Sequence, residues 1–277
     1  MGLNAQLLKR IFKQLIPPIL LLMLPAKLKN HQKSNITYEG VYGSFEEVLA
    51  KYGPQSDYST DIAHEESVSK THRLIANVNS FGFIPSWSTH RMNIISSYLS
   101  GFEKVSIKVL DIGGGFAETY LYIKSSTTLR LDYRIIELVP TVRACKKIFK
   151  DYSDLKFYVG LEDLEFHPDI IYFGSSLQYF EDWRNVLNYA ISCNPNTIMI
   201  TDTPMGNVQT FVAAQVNMPG IVIPRYIFNI DEIKELLLSQ DYYLVNETSI
   251  FYPFHNFANY SFEYQGITHM NLIFRKK

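Results

Sequence analysis

Cysteine is scarce: Cys145 and Cys193 are the only two in 277 residues. They do not stand at metal-site spacing and could form at most one bridge. That excludes a disulfide framework and makes a reduced, cytoplasmic interior the expectation. Long apolar runs are missing as well. The run Leu15 to Leu24 holds ten residues, broken by Pro17 and Pro18, whereas a membrane-spanning helix needs roughly 20. The seven histidines form no pair at helical or hairpin spacing, so no metal site is expected. A net charge of -1 leaves no basic excess with which to grip nucleic acid. What is present is 47% hydrophobic and 19% charged residues, enough to fill the core of a large domain and too apolar for a disordered chain.

Acidic residues are also absent from one whole segment. Residues 1–38 carry Lys9, Arg10, Lys13, Lys27, Lys29 and Lys33 and no Asp or Glu, so the rest of the chain carries -7. Leu3, Leu7, Leu8, Ile11, Phe12 and Leu15 recur at near-helical spacing with the basic residues on other faces. That pattern fits a peripheral anchor drawn to anionic lipid at the inner face of a membrane. Two other readings stay open. One is a helix packed on the domain or a partner. The other is a secretory signal ending near Ala26, although Leu24 stands where a small residue is wanted.

The chain divides by pattern into residues 1–37, the basic and apolar segment; 38–104, read mainly as helices and loops; and 105–277, where strands and helices alternate. Ser44 is a candidate N-cap ahead of the stripe Phe45, Val48, Leu49 and Tyr52, and Asn229 with Glu232 is a candidate capping pair. Strands are expected at 107–112, 133–137, 155–159, 169–173, 197–201, 242–245 and 270–274. The fold class is therefore α/β: a mostly parallel Rossmann-like sheet with helices on both faces, its ligand at the carboxyl ends of the strands. Two stretches are too long for simple connections. Residues 203–228 contain Pro204, Pro219 and Pro224, and residues 249–268 carry seven aromatics from Phe251 to Tyr264. Such stretches are expected to be lids, binding loops or added structure.

The most informative segment is Val109-Leu-Asp111-Ile-Gly113-Gly114-Gly115-Phe-Ala117. A strand enters a glycine turn that opens a helix. A dinucleotide site would place a third spaced glycine where Glu118 stands, and Asp111 would repel a pyrophosphate. An acid there suits a ligand ammonium instead. Glu137, 26 residues on and at the end of the next strand, can accept both hydroxyls of a ribose. These residues resemble the cofactor signature of class I S-adenosylmethionine-dependent methyltransferases, over residues 105–277. More narrowly, the chain resembles bacterial methyltransferases often associated with surface-polysaccharide gene clusters. The matching pieces are Tyr38-Glu-Gly40-Val-Tyr42, Leu110-Asp-Ile-Gly-Gly-Gly115, Ser176-Leu-Gln178-Tyr179, Gln215, Pro219 and Tyr226-Ile-Phe228.

The resemblance implies S-adenosylmethionine as cofactor and methyl transfer as activity. It implies Asp111, Gly113, Gly114, Gly115 and Glu137 as cofactor residues, Asp163 at the adenine, and Gln178 at the methionine end. A saccharide or surface-glycan precursor is the implied acceptor. A hydroxyl acceptor must lose a proton, so a base or a metal is needed. Asp202 at the end of the fifth strand, His255 in the aromatic stretch and Tyr179 are the catalytic candidates, and Gln215 is the candidate substrate contact. A catalytically silent membrane-associated scaffold and an NAD-dependent oxidoreductase on a similar fold are the alternatives. The missing glycine and Asp111 oppose the second.

Overall fold

The computed structural model describes residues 37–53, 61–82, 90–161, 166–218, 221–250, 260–264 and 266–277. The basic segment, Asp163 and His255 lie outside these residues. Among the described residues no helix is long and apolar enough to cross a membrane.

Five parallel strands form the centre. They are β2 (Ser106–Ile112), β3 (Arg130–Ile136), β4 (Leu155–Tyr158), β5 (Ile170–Gly174) and β6 (Thr197–Gly206), in the order β4-β3-β2-β5-β6. The last strand, β10 (Thr268–Lys276), runs antiparallel between β6 and β9 (Tyr242–Ile250). The expected parallel sheet with an antiparallel last strand is thus observed. β5, β6 and the second half of β2 are buried on both faces, which explains their near-continuous apolar sequences. Alternation still sorts the side chains. Val109, Ile135, Tyr172, Met199 and Ile273 face one core, whereas Leu110, Ile136, Phe173, Ile200 and Leu272 face the other.

The first core is covered by α3 (His90–Ser100), α4 (Glu118–Ser126) and α5 (Val139–Ile148), through residues such as Ile95, Leu99, Leu121 and Val142. Leu74, Ile75 and Val78 of α2 (Asp61–Phe81) pack against its edge. The second is covered by α6 (Trp183–Ser192) and α7 (Ile230–Leu238), through Trp183, Leu187, Ile233 and Leu237. The Asn229 side chain accepts from the amides of Asp231 and Glu232 and starts α7. Ser44 does the same for α1 (Phe45–Tyr52) by accepting from Glu47.

The structure adds strands in two places. Residues 38–104 are not only helices and loops, because β1 (Thr37–Tyr42) pairs antiparallel with β7 (Phe211–Met218). Of the forms expected for residues 203–228, added structure is the one observed among the described residues. The fifth parallel strand, β6, continues to Gly206, and β7 pairs with β8 (Ile221–Asn229). The β1-β7-β8 sheet joins the main sheet where Met205 and Gly206 pair with Phe228 and Asn229. Prolines hid these strands. Pro204 and Pro224 read as breaks, yet each sits within a strand, Pro204 just after the kink at Asp202. Gly40 at φ 72 divided the register of β1 in the same way. The second half of β9, Asn246 to Ser249, is polar and exposed on the sheet's edge, so its sequence reads as loop.

Candidate active site

Three residues other than glycine adopt left-handed backbone at the carboxyl side of the central strands. Ala117 (φ 60) opens α4 after β2, Ser175 (φ 60) follows β5, and Asp202 (φ 55) kinks β6. Such conformations cost about 1–3 kcal/mol each and concentrate at functional sites. Here they bend three neighbouring chain segments around the edge where ligands bind in open parallel sheets.

The glycine turn closes over Asp111. A Cβ at Gly114 would stand 2.6 Å from Asp111 Oδ2, and one at Gly113 (φ 74) would stand 2.6 Å from Ser176 Cβ. Only glycine lets the turn lie this close to the carboxylate below it and to the β5 loop beside it. Asp111 is 1% exposed. Its Oδ2 accepts from the Tyr133 hydroxyl at 2.7 Å, while Oδ1 is buried and has no hydrogen-bond partner among the described residues. Burial pushes the Asp111 carboxyl up to about 7; Tyr133 and Arg91 favour the charged form and Glu137 opposes it.

Glu137 follows β3 beside the same turn. Its Oε1 accepts from the Gly115 amide at 3.2 Å and its Oε2 from the Leu138 amide at 2.7 Å. Two backbone donors therefore fix the carboxylate plane, and each oxygen keeps a lone pair for a further donor. Burial raises its proton affinity, and the two amides partly offset that. Gln178, in the short 3-10 turn Leu177–Tyr179 after β5, is fully buried. Its amide nitrogen donates to Ser175 O and Oγ at 2.9 and 3.1 Å, and its Oε1 has no donor among the described residues.

The other side of the site lies past β6. Asp202 Oδ1 is 2.7 Å from His269 Nδ1 of β10, and both residues are buried. The Asn271 side chain accepts from the Asp202 amide at 2.9 Å and steadies the kink. Burial lowers the proton affinity of His269, and the Asp202 carboxylate partly restores it. Tyr179 donates to Gln215 Oε1 at 2.9 Å, and Arg225 donates to the same oxygen at 2.8 Å and to the Tyr38 hydroxyl at 3.0 Å. The structure thus brings Tyr179 and Gln215 into contact, gives Asp202 to a histidine, and joins Asp111, Gly114 and Glu137 at one turn. His269, Arg225, Tyr38 and Arg91 were missed as site residues. They come from β10, β8, β1 and α3, and no short motif links them to the glycine turn.

Part of the aromatic stretch is core. Tyr260 and Tyr264 pack on Phe211 with ring centroids 5.8 and 4.9 Å away, and the Tyr260 hydroxyl donates to Gly40 O at 3.2 Å.

The strand order is the Rossmann 3-2-1-4-5-6 arrangement with an antiparallel strand inserted before the last. Solved structures share the fold. The N-terminal domain of EvdMO1, crystallised in the presence of S-adenosylhomocysteine and D-fucose, aligns with a TM-score of 0.50 at 11% identity, over 80% of this chain and 100% of that one. A provisionally assigned sarcosine dimethylglycine methyltransferase from Galdieria sulphuraria aligns with a TM-score of 0.50 at 11% identity, over 69% and 85%. The fold is that of a Rossmann-like methyltransferase. The 1,6-didemethyltoxoflavin-N1-methyltransferase of Burkholderia thailandensis, with bound 1,6-didemethyltoxoflavin and S-adenosylhomocysteine, is 13% identical with a TM-score of 0.48, over 80% and 94%. No protein-family model and no curated protein matches the chain. On this methyltransferase fold, β1, β7 and β8 form an added sheet beside β6, and it supplies Tyr38, Gln215 and Arg225.

Proposed function

We propose that this chain transfers the methyl group of S-adenosylmethionine to a hydroxyl of a small acceptor, a saccharide or surface-glycan precursor. The observation that carries this reading is the pair of carboxylates at the glycine turn: buried Asp111 with an unsatisfied Oδ1, and partly buried Glu137 held by two amides. The residues fit the cofactor. Asp111 suits its ammonium and Glu137 its ribose hydroxyls, with Gln178 near the methionine end. Asp163, outside the described residues, is assigned to the adenine. Two acids also favour a ligand whose reacting sulfur is positively charged. When bound there, the cofactor supplies an electrophilic methyl group on that sulfur.

The chain's own task is to align the acceptor, exclude water and remove the hydroxyl proton. Asp202 acts through His269 in this account. Its carboxylate holds Nδ1–H, which fixes the tautomer whose Nε2 takes the proton. Tyr179, Gln215, Arg225 and Tyr38 form the polar wall that orients the acceptor. His255 remains a second candidate base outside the described residues. The D-fucose present with the EvdMO1 domain supports a sugar acceptor. The basic segment at residues 1–30 is read as a peripheral contact with the inner membrane face, which would keep the enzyme beside glycan precursors.

Titration calorimetry of the full chain with S-adenosylhomocysteine tests the cofactor reading. Saturable binding that weakens in Glu137→Gln is expected. A folded protein that gives no binding would reject it.

A further inference from the structure

The added sheet carries a cleft of its own. β1 is bulged: its register on β7 shifts between Glu39 and Tyr42, so Gly40 and Val41 have no counterpart there. Gly40 takes φ 72, and a Cβ on it would stand 2.5 Å from the Tyr42 ring, so glycine is needed at this bend. Bulges of this kind re-aim side chains beside functional sites. Here the bulge faces Tyr260, Ser261 and Tyr264, the last of them in the 3-10 turn Phe262–Tyr264, across a cleft of about 360 Å³. That volume lies within the range of small-ligand sites, about 300–1,000 Å³.

The charges around the cleft select its ligand. Glu39 lines it, and Glu39 Oε2 accepts from the Tyr52 hydroxyl at 3.1 Å. That contact holds the carboxylate in place and leaves lone pairs for further donors. Ser261 Oγ donates to Glu263 at 3.1 Å, so a second carboxylate borders the cleft. Two acids oppose an anionic ligand. Beyond the wall, the Arg225 guanidinium stands 4.9 Å from the Tyr38 ring centroid and opposes a cationic one. An uncharged ligand with donor hydroxyls remains, and it must also suit tyrosine rings. A neutral pyranose has both properties. Its hydroxyls can donate to the Glu39 carboxylate, and its C–H face can meet the negative face of an aromatic ring. Tyr264 is partly exposed, and its contact with Phe211 at 4.9 Å fixes the ring.

One side chain separates this cleft from the polar wall assigned to the acceptor. Tyr38 lines the cleft, and its hydroxyl accepts from Arg225, which also donates to Gln215 beside Tyr179. We propose that the cleft binds an uncharged pyranose unit of the acceptor, one that neighbours the unit receiving the methyl group. The acceptor is then a glycan of more than a single sugar. This rests on the saccharide reading above and deepens it.

Saturation-transfer difference NMR on the full-length protein tests it. The uncharged probes are the methyl glycosides of glucose, galactose, mannose and rhamnose; the charged ones are those of glucuronic acid and glucosamine. At least one uncharged probe should bind, with saturation concentrated on the C–H protons of one ring face, and it should bind more tightly than either charged probe. Glu39→Gln should weaken that binding roughly tenfold, the scale of a charge-assisted hydrogen bond, and Tyr264→Ala by about the same factor. The affinity for S-adenosylhomocysteine should stay at the parent's value in both variants. A parent that binds S-adenosylhomocysteine but no uncharged probe would overturn this proposal and leave the cofactor reading standing. Sugar binding untouched by both variants, or tighter for a charged probe, would do the same. Variant-sensitive sugar binding by a parent that ignores S-adenosylhomocysteine would support the cleft and reject the cofactor reading, and binding of neither would overturn both. Should Tyr264→Ala fail to fold, Glu39→Gln, at an exposed position, carries the test.

Discussion

The proposed cofactor side and the proposed acceptor side of this site are built differently. On the first, Asp111, Gly113, Gly114, Gly115 and Glu137 lie within 27 consecutive residues, at the end of β2, in the turn that opens α4 and just past the end of the adjacent β3. On the second, Tyr38, Tyr179, Asp202, Gln215, Arg225 and His269 come from β1, the turn after β5, β6, β7, β8 and β10. A local site has its geometry written into spacing, whereas a dispersed one exists only once the sheet pairs. The cofactor side can therefore stay fixed while acceptor specificity changes strand by strand.

The largest expected effect lies on the acceptor side. His269→Gln should lower methyl transfer by about a hundredfold to ten-thousandfold, the usual contribution of a general base. Its affinity for S-adenosylhomocysteine should match the parent's. Single-turnover assays beside calorimetry would show this, and a parallel loss of cofactor affinity would break the separation of the two sides. Glu137→Gln should do the reverse, weakening S-adenosylhomocysteine roughly tenfold to a hundredfold.

Protonation sharpens the comparison further. Folded Asp111 keeps its proton up to about 7. A ligand ammonium favours the charged form, so binding below that pH must release a proton. Affinity for S-adenosylhomocysteine should then rise about tenfold from pH 6 to pH 8, with proton release visible as a dependence on buffer ionisation heat. Tyr133→Phe removes a donor to the carboxylate and should move this rise to higher pH. In the free protein the sign is opposite. The unfolded carboxyl ionises near about pH 4 while the folded one does not, so this group lowers stability as pH climbs from there to about 7. A flat affinity profile would show that Asp111 does not meet the ammonium.

Gly114→Ala should destabilise the protein by about 1–3 kcal/mol, the range for overpacking, because its Cβ would crowd Asp111. Thermal unfolding would measure it. The smallest effect concerns residues 1–30. Replacing Lys9, Arg10 and Lys13 by Glu should reduce flotation of the full chain with anionic vesicles, and unchanged flotation would reject the membrane contact.

Legibility followed the same division. The alternating apolar segments gave the parallel sheet and both helix layers, because the central strands bury two faces and each helix one stripe. The glycine turn and its two acids were readable because a tight turn, an acid and a strand end are local features. The hairpin of β7 and β8 was not, since Pro204, Pro219 and Pro224 mark breaks in any local reading. His269 looked like one histidine among seven until β10 paired with β6 and set it against Asp202. Arg91 sat in a segment read as separate from the sheet domain.

A crystal structure with S-adenosylhomocysteine tests the central claim most directly. The account predicts the ammonium within hydrogen-bond distance of Asp111 Oδ1, the ribose hydroxyls on Glu137 and the vacant methyl position facing His269. A ligand bound elsewhere, or with its ribose away from Glu137, would contradict it.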